Sequence, residues 1–167
     1  MKQQIIVSGT GGQGILFLTR FFAEAAMMMR LQVLTSEIHG MAMRGGTVVS
    51  HVKVGTFKSP LVREGHADAG LILNKQNLPL HRSLIKRDGY VFVNTDTPGD
   101  YSSIDASALA LGAGAPAMTN LVLLGFAMQR GGFFCEADVA RKVLKKLSPP
   151  AHLELNLKGF DMGFASS

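Results

Sequence analysis

The segment "GTGGQGILF" at residues 9–17 decides the fold, because it joins an apolar run to an apolar helix through a glycine-rich loop. Four glycines lie within six residues, and Gly9, Gly11 and Gly14 have the spacing G-x-G-x-x-G. Between a strand and a helix this motif is typical of phosphate binding, since glycines let a ligand approach the backbone and free N–H groups at a helix start attract anions. The alternative is a turn that only lets strand and helix pack closely. We predict an anion-binding loop made of Gly9, Gly11, Gly12, Gln13 and Gly14.

Apolar runs of strand length alternate with helical segments along the rest of the chain, which is typical of a parallel sheet covered by helices. The predicted strands cover residues 5–8, 31–36, 47–54, 69–73 and 90–94. The predicted helices cover residues 14–29, 77–85, 119–130 and 136–147. The sequence shows no repeat and no linker, so we predict one domain over residues 1–167. Its fold class is α/β, with a doubly wound, mostly parallel sheet and helices on both faces in a Rossmann-like arrangement.

Composition favours an ordered protein with a partner or ligand that carries negative charge. Hydrophobic residues make up 47% and charged residues 17%, with a net charge of +5. A surface this poor in charge indicates that a partner covers part of it. No basic run is interleaved with aromatic residues, so a nucleic-acid partner is not predicted. A strand-like run follows Met1 and Lys2 directly, which predicts a cytoplasmic protein without a signal peptide.

Two apolar segments bear on whether the chain contacts a membrane or a partner. The helix predicted over residues 14–29 has only Arg20 and Glu24 as a charged stripe, so it must be covered on more than one side. The uncharged stretch 106–128 is interrupted by glycines and Pro116. It is therefore interpreted as a buried turn followed by a core helix, and no membrane partner is predicted.

No catalytic residue and no metal ligand is predicted from the sequence. Cys135 is the only cysteine, so it cannot form an internal disulfide or hold an iron–sulfur cluster by itself. It is either a small buried residue or, at a helix start, a thiol of lowered pKa. The serines Ser8 and Ser36 lack the context of an activated nucleophile. The histidines have no metal-ligand spacing: His39, His51, His66, His81 and His152.

A second candidate site follows the second predicted strand. Glu37 lies 37 − 14 = 23 residues after Gly14, close to the spacing at which an acidic side chain binds the ribose of a dinucleotide. A free-standing oxidoreductase that binds NAD(P) or FAD is therefore one alternative. Arg44 with Gly45 and Gly46 forms a second predicted anion site, in which a guanidinium lies beside open backbone N–H groups. An arginine held in a salt bridge or at a subunit contact is the alternative for Arg44.

The motifs together resemble one known family. These motifs are "GTGGQGI", "SEIHGMAMRGGTVVSHVKVG", "SPLVREGHADAGLIL", "GYVFVNTD" and "TNLVLLG". From Gly9 to about Phe160 the chain resembles the gamma subunit, or gamma domain, of 2-oxoacid:ferredoxin oxidoreductases. The form E-x-H-G-M-x-x-R-G-G is closer to the small (beta) subunit of indolepyruvate oxidoreductase than to the gamma subunits of the pyruvate or 2-oxoglutarate enzymes.

The resemblance implies a doubly wound domain inside a multi-subunit enzyme. Such an enzyme decarboxylates a 2-oxoacid on thiamine diphosphate, passes electrons through iron–sulfur clusters to ferredoxin, and releases acyl-coenzyme A. Thiamine diphosphate and the clusters belong to other subunits, and coenzyme A binding is associated with the gamma domain. By position this role falls on the glycine loop, with Glu37, Arg44, Gly45 and Gly46 as further candidates.

The resemblance also sets expectations for the isolated chain. It is expected to be inactive by itself and to form a homodimer without its partners, and a subunit that serves only in assembly remains the alternative. Two positions depart from the family pattern. Arg30 and Leu31 stand where relatives tend to have a glycine after the first helix, and Asn74 and Lys75 replace an expected acidic residue.

Overall fold

The computed structural model describes residues 1–40 and 45–167, which form one mixed sheet and its covering helices. The strands are β1 (Gln3–Thr10), β2 (Val33–His39), β3 (Thr47–Val54), β4 (Ala67–Ile72), β5 (Ile85–Asn94) and β6 (Ser102–Ile104). The helices are α1 (Ile15–Met28), α2 (Leu78–His81), α3 (Ala106–Gly112), α4 (Thr119–Arg130), α5 (Ala137–Leu147) and α6 (Leu153–Phe164). None of the helices within the described ranges is long and apolar enough to span a membrane.

The six strands have the order β2-β3-β1-β4-β5-β6. β4 pairs in parallel with β1 and β5, and β5 pairs in parallel with β6. β3 is antiparallel to both of its neighbours, β1 and β2. Because the direction reverses twice across β3, β2 runs the same way as β1, and five of the six strands share one direction. This confirms the predicted α/β class with a mostly parallel sheet.

The two faces of the sheet are covered unequally. On what we call the helical face, α1 and α4 pack against the strands, and α5 and α6 pack against α1 and α4 from outside. This face buries the largest side chains of the protein, including Phe21, Phe22, Phe92, Phe126 and Phe160. On the opposite side, the second face, Leu78 of the four-residue helix α2 and the buried Val62 cover a smaller cluster around Ile6 and Ile72.

Two helices of the helical face approach each other through glycines. Gly125 of α4 and Gly163 of α6 lie against each other's helix backbone. A Cβ atom at Gly125 would overlap the carbonyl of Phe160, and one at Gly163 would overlap the carbonyl of Val122. The close crossing of α4 and α6 therefore requires glycine at both positions.

The end of α1 explains one departure from the family pattern. The N–H of Leu31 donates to the carbonyl of Ala26 at 2.8 Å, and the N–H of Arg30 donates to that of Met27 at 2.9 Å. This is the Schellman arrangement, in which the residue after the helix adopts a left-handed conformation that favours glycine. Arg30 has φ 58°, so an arginine occupies a position at which glycine is the unstrained choice.

Predicted and observed elements agree where the sequence is strongly periodic. The strand Thr47–Val54 and the helix Thr119–Arg130 have the predicted limits. The helix predicted over residues 77–85 is confirmed in position, although it consists of a 3-10 turn, the α-helix α2 and a second 3-10 turn over residues 75–84. Only Ile85 lies outside it, because Ile85 already pairs with Ala67 in the sheet. The strand β6 and the helices α3 and α6 were not predicted, although Asp105 caps α3 by accepting from the N–H of Ala108 at 2.9 Å.

Candidate functional site

The glycine loop lies where β1 ends and α1 begins, at the carboxyl edge of the parallel strands. The cap residue of α1 is Gly14, which has φ 79° and no side chain to bond the first N–H groups of the helix. The first N–H groups of an α-helix have no partner inside the helix. The first turn of α1 also carries no acidic side chain, so the positive end of the helix dipole is not neutralised there.

The glycines of this loop have different roles. A Cβ atom on Gly9 would lie 2.7 Å from Gln13 Oε1 and from Ile15 Cδ1, and one on Gly14 would overlap the Asn120 side chain. These two glycines are therefore required for packing. Gly12 has φ 91°, and no atom of the described residues lies within 4 Å of its Cβ position. Within the described part of the chain, no side chain therefore blocks approach to the main chain at Gly12.

Hydrogen bonds hold the loop in one conformation. Gln13 Oε1 accepts from the N–H of Thr10 at 2.7 Å, and Gln13 Nε2 donates to the carbonyl of Leu73 at 3.3 Å. Both ends of the Gln13 amide are thus used to hold the loop. The N–H of Gly11 donates to the carbonyl of Gly46 at 2.9 Å. The structure thereby brings the predicted segment Gly45–Gly46 against the loop, whereas Arg44 lies outside the described residues.

A cavity of about 350 Å³ opens between the glycine loop and the strands beside it. Its walls are Thr10, Gly11, Gly12, Gly14, Ile15, Leu16, His39 and Val48. Among the described residues that line the cavity, His39 is the one titratable side chain. From the sequence, His39 is only one of the histidines without metal-ligand spacing, and its proximity to the loop depends on strand pairing that the sequence does not reveal.

Glu37 lies farther from the loop than a dinucleotide site requires. β3 lies between β1 and β2, and neighbouring strands are about 4.8 Å apart, so β2 lies about 10 Å from β1. In the dinucleotide fold the acidic residue ends the strand next to the first one. The Glu37 carboxylate instead lies 3.7 Å from His39 Nε2, on the same face of β2. This geometry disfavours the alternative of a free-standing NAD(P)- or FAD-dependent enzyme.

A buried polar network supports the loop from the second face. Ser8 is fully buried at the end of β1, and its hydroxyl lies 2.7 Å from His81 Nδ1. Asn77 Nδ2 donates to Ser8 Oγ at 3.2 Å and to the carbonyl of Gly9 at 2.8 Å. Since Ser8 is inaccessible, its contact with a histidine positions the chain before the glycine loop and does not make a nucleophile.

His51 lies near this network at the centre of the second face. The N–H of Val62 donates to His51 Nδ1 at 3.0 Å, so the neutral ring carries its proton on Nε2. Among the described residues, His51 Nε2 is a buried side-chain nitrogen without a hydrogen-bond partner. Burial, followed by the nearby His81 and Lys53, lowers the pKa of His51. Burial also lowers the pKa values of His81 and Lys53, so this face disfavours added positive charge.

The remaining reactive groups in the described part of the chain bear on a metal site and on a thiolate. Within residues 1–40 and 45–167 no three His, Cys, Asp or Glu side chains are grouped as metal ligands. Cys135 is buried, and burial raises the pKa of its thiol to about 12. Of the two interpretations of Cys135, the small buried residue agrees with this geometry. The donor set of this chain does not fit an iron–sulfur cluster.

Comparison with known proteins decides the family. A family model described as pyruvate ferredoxin/flavodoxin oxidoreductase matches residues 4–166. The chain belongs to this oxidoreductase family. Among curated relatives, the chain is 30% identical to the indolepyruvate oxidoreductase subunit IorB of Pyrococcus horikoshii, over 98% of this chain and 95% of that protein.

Solved structures of the family share this fold. The gamma subunit of a keto/oxoacid ferredoxin oxidoreductase from Geobacter sulfurreducens superimposes with a TM-score of 0.78 at 29% identity, covering 97% of this chain and 96% of that one. The 2-oxoglutarate:ferredoxin oxidoreductase of Magnetococcus marinus, solved with 2-oxoglutarate, coenzyme A and succinyl-CoA bound, gives a TM-score of 0.78 at 22% identity. That match covers 98% of this chain and 30% of the longer protein. The predicted relationship to gamma subunits and to IorB is thus confirmed.

Proposed function

We propose that this chain is the subunit of a 2-oxoacid:ferredoxin oxidoreductase that contributes to coenzyme A binding and to subunit assembly. The observation that carries the proposal is the backbone at Gly12, which no described residue covers, beside a helix start whose first turn has no acidic side chain. A pyrophosphate is the kind of group that such a loop binds. The Magnetococcus enzyme, whose fold includes this domain, is solved with coenzyme A bound.

Thiamine diphosphate and the iron–sulfur clusters are proposed to reside in partner subunits. The single cysteine of this chain cannot supply the four thiolates of a typical cluster. The chain itself would therefore bind and orient coenzyme A, and the complex as a whole would reduce ferredoxin. The similarity to IorB proteins favours an aromatic 2-oxoacid as substrate of that complex.

Exposed apolar side chains support a role in assembly. Leu16, Met27 and Ile38 are 49%, 55% and 48% exposed on or beside α1 and β2. Large exposed apolar side chains mark surfaces that partners cover. We expect the isolated chain to self-associate at micromolar concentration, and a strictly monomeric species in analytical ultracentrifugation would contradict this part of the proposal.

The coenzyme A site is tested by substitution in the reconstituted complex. Gly12→Val should raise the KM for coenzyme A with little effect on the KM for the 2-oxoacid, since its side chain would occupy the open space at the loop. Gly65→Val is the matched control, because Gly65 also has positive φ, at 70°, and no described atom within 4 Å of its Cβ position, but lies in another loop. If the assembled Gly12→Val and Gly65→Val enzymes have the same KM for coenzyme A, the glycine loop has only a structural role.

Arg44 provides a second test of the same proposal. If its guanidinium binds a phosphate of coenzyme A, Arg44→Ala should cost about 1.5–3 kcal/mol of binding, the contribution of one charged hydrogen bond. Arg20→Ala is a control that removes the same charge from an exposed position on α1. An unchanged KM for coenzyme A in the assembled Arg44→Ala enzyme would remove Arg44 from the site.

A further inference from the structure

Lys53 is a buried lysine near the end of β3, on the second face of the sheet. The residue is only 7% exposed. No carboxylate of residues 1–40 and 45–167 lies within salt-bridge distance of its Nζ. Lysines are rarely buried without an anionic partner, because removing an ammonium group from water costs free energy. Lys53 is thus a cation whose charge the described part of the chain leaves uncompensated.

A second cation, Lys2, is held close to Lys53. Both lysines lie over the ring of Phe57, with Lys2 Nζ 5.3 Å and Lys53 Nζ 5.1 Å from its centroid. Gly55 allows this approach, since a Cβ atom there would overlap the carbonyl of Met1 and lie 3.0 Å from Lys2 Cγ. An aromatic face attracts cations but carries no net charge, so both positive charges remain.

A third cation, Arg63, is placed beside Lys53 by the loop that covers the second face. The N–H of Val62 donates to His51 Nδ1 at 3.0 Å, which fixes the residue before Arg63 over β3. His51 and Lys53 are two residues apart in this strand, so their side chains share a face. Burial, and then the positive charge of Arg63, lower the pKa of Lys53. An anion beside Lys53 would counteract both effects.

The acidic side chains near these cations do not neutralise them. Asp68 on β4 accepts from the N–H of Gln4 at 2.7 Å and forms an ion pair with Lys86. Glu64 is exposed, and within the described part of the chain it takes part in no ion pair. We call the surface formed by the three cations and two neighbouring apolar side chains the Lys53 surface, and its members are Lys2, Lys53, Phe57, Leu61 and Arg63.

The Lys53 surface has the composition of a protein interface. Phe57 is half-buried and Leu61 is 47% exposed, so apolar side chains lie among the cations. Interfaces between proteins are enriched in aromatic residues and arginine, and they place opposite charges against each other. A second copy of this chain would bring the same cations together, which like charges disfavour. A partner that presents carboxylates beside apolar side chains fits the surface.

We propose that the Lys53 surface docks an acidic segment of a partner subunit, with a carboxylate of that segment against Lys53 Nζ. The inference rests on the proposed role in subunit assembly and adds the chemistry of the contact. Lys53 pairs with Gln4 at the start of β1, whereas the glycine loop follows Thr10 at its end. Six residues of a strand span about 20 Å, so the docking site is separate from the proposed coenzyme A site.

Lys53→Met tests the inference, because methionine keeps an unbranched apolar side chain in the buried position and removes the charge. Lys53→Arg keeps the charge, and Lys142→Met is the matched control at an exposed position on α5. The probe is the set of partner subunits that copurify with this chain from its native source. Their Kd for each purified variant would be measured at low and at high NaCl concentration.

We expect Lys53→Met to raise this Kd about tenfold at low salt, since it leaves a partner carboxylate without its cation. The Kd should also depend less on NaCl, because one ion pair fewer is screened. Lys53→Arg should retain most of the affinity, and Lys142→Met should bind as the unaltered chain does. The KM for coenzyme A in the assembled Lys53→Met enzyme should be unchanged.

Two results with the Lys53→Met variant overturn the docking inference. One is an unchanged Kd, which leaves the proposed coenzyme A site intact. The other is a raised Kd with an unchanged dependence on NaCl, because lost packing would then explain the weaker binding. Failure of the unaltered chain to bind the partner subunits contradicts the proposed role in assembly together with the inference.

Binding to the free chain distinguishes protein carboxylates from other anions. The three probes are a hexaglutamate peptide, inorganic phosphate, and vesicles of phosphatidylcholine with phosphatidylserine. The peptide should bind Lys53→Met about fivefold more weakly than the unaltered chain, in the range measured for single charge pairs. Equal binding of the peptide by both proteins overturns the inference. Phosphate or vesicles that alone depend on Lys53 also overturn it, since a free anion or a membrane would then occupy the surface.

Discussion

The helical face and the second face of the sheet are stabilised by different interactions. The helical face buries phenylalanines under two layers of helices, and its close crossings depend on glycines such as Gly125. The second face has a thin cover and buries Ser8, His51, Lys53 and Asn77 among its apolar residues. In an apolar core, the free energy of folding depends on how completely the side chains fill the available volume. A buried polar group stabilises the fold only while its hydrogen-bond partner is present. The stability of the helical face should therefore be sensitive to side-chain size, and that of the second face to side-chain polarity and to pH.

The largest effect is expected on the helical face from Gly125→Ala. Its new methyl group would overlap the backbone of α6, which cannot yield as a flexible side chain can. Overpacking of this kind costs 1–3 kcal/mol and sometimes more, so we expect the free energy of unfolding to fall by about 3 kcal/mol. Urea denaturation measures this change.

Gly112→Ala is the control for this substitution. A Cβ atom at Gly112, at the end of α3, meets no atom of residues 1–40 and 45–167 within 4 Å, so stability should be unchanged or slightly raised. Similar losses in both variants would mean that the contact between α4 and α6 does not set the cost at Gly125, since alanine is the better helix former at both positions.

On the second face, Ser8→Ala removes no more volume than one oxygen atom. It leaves His81 Nδ1 and one bond of Asn77 without their partner, and an unsatisfied buried group costs about 1–3 kcal/mol. Thermal or urea unfolding would measure the loss. Ser83→Ala, at an exposed position, should change stability little, and a matching small change in Ser8→Ala would show that the network contributes nothing.

A smaller effect is the response of stability to acid. Burial lowers the pKa values of His51 and His81 in the folded protein below the ordinary 6.5, so the unfolded chain binds more protons in that range. The stabilisation is fully present above pH 6.5 and is lost as the pH falls through the folded-state values. His51→Gln should reduce the slope of unfolding free energy against pH below 6.5, measured by urea unfolding.

The exposed His152 provides the comparison for this slope. His152→Gln should leave the acid dependence as it is in the unaltered chain. An identical slope in all three proteins would show that the second face does not respond to protonation of His51.

The smallest effect concerns the end of α1 on the helical face. Arg30→Gly relieves the left-handed conformation at φ 58° but adds entropy to the unfolded chain, so a net gain of about 0.5 kcal/mol is expected. Arg30→Ala keeps the strained conformation and should give no gain. Denaturation midpoints measured in parallel distinguish the two, and equal midpoints would show that the strain at Arg30 is negligible.

The sequence predicts those parts of the site that lie close together along the chain. The segment from β1 through the glycine loop into α1 can be predicted, because an apolar strand, a glycine-rich turn and an apolar helix follow each other directly in the sequence. The network of Ser8, Asn77 and His81 cannot be predicted from the sequence. Asn77 and His81 lie 69 and 73 residues after Ser8, and they meet it only when β1 pairs with β4. The position of His39 in the wall of the loop cavity was not predicted for the same reason. The helix α6 was not predicted because its apolar residues form a helix face that packs against α4, a contact that the sequence does not show.

The strand order has a consequence for how the chain folds during synthesis. β1 is made first, but its neighbours β3 and β4 begin at Thr47 and Ala67. At about 5–20 residues per second, the 57 residues from Thr10 to Ala67 take about 3–11 s to synthesise. During that interval the apolar residues Ile5, Ile6 and Val7 have no parallel partner strand, and exposed apolar strands of this kind are prone to aggregation. Ribosome-bound chains of increasing length should therefore gain protease resistance in one step, only after β4 has left the exit tunnel.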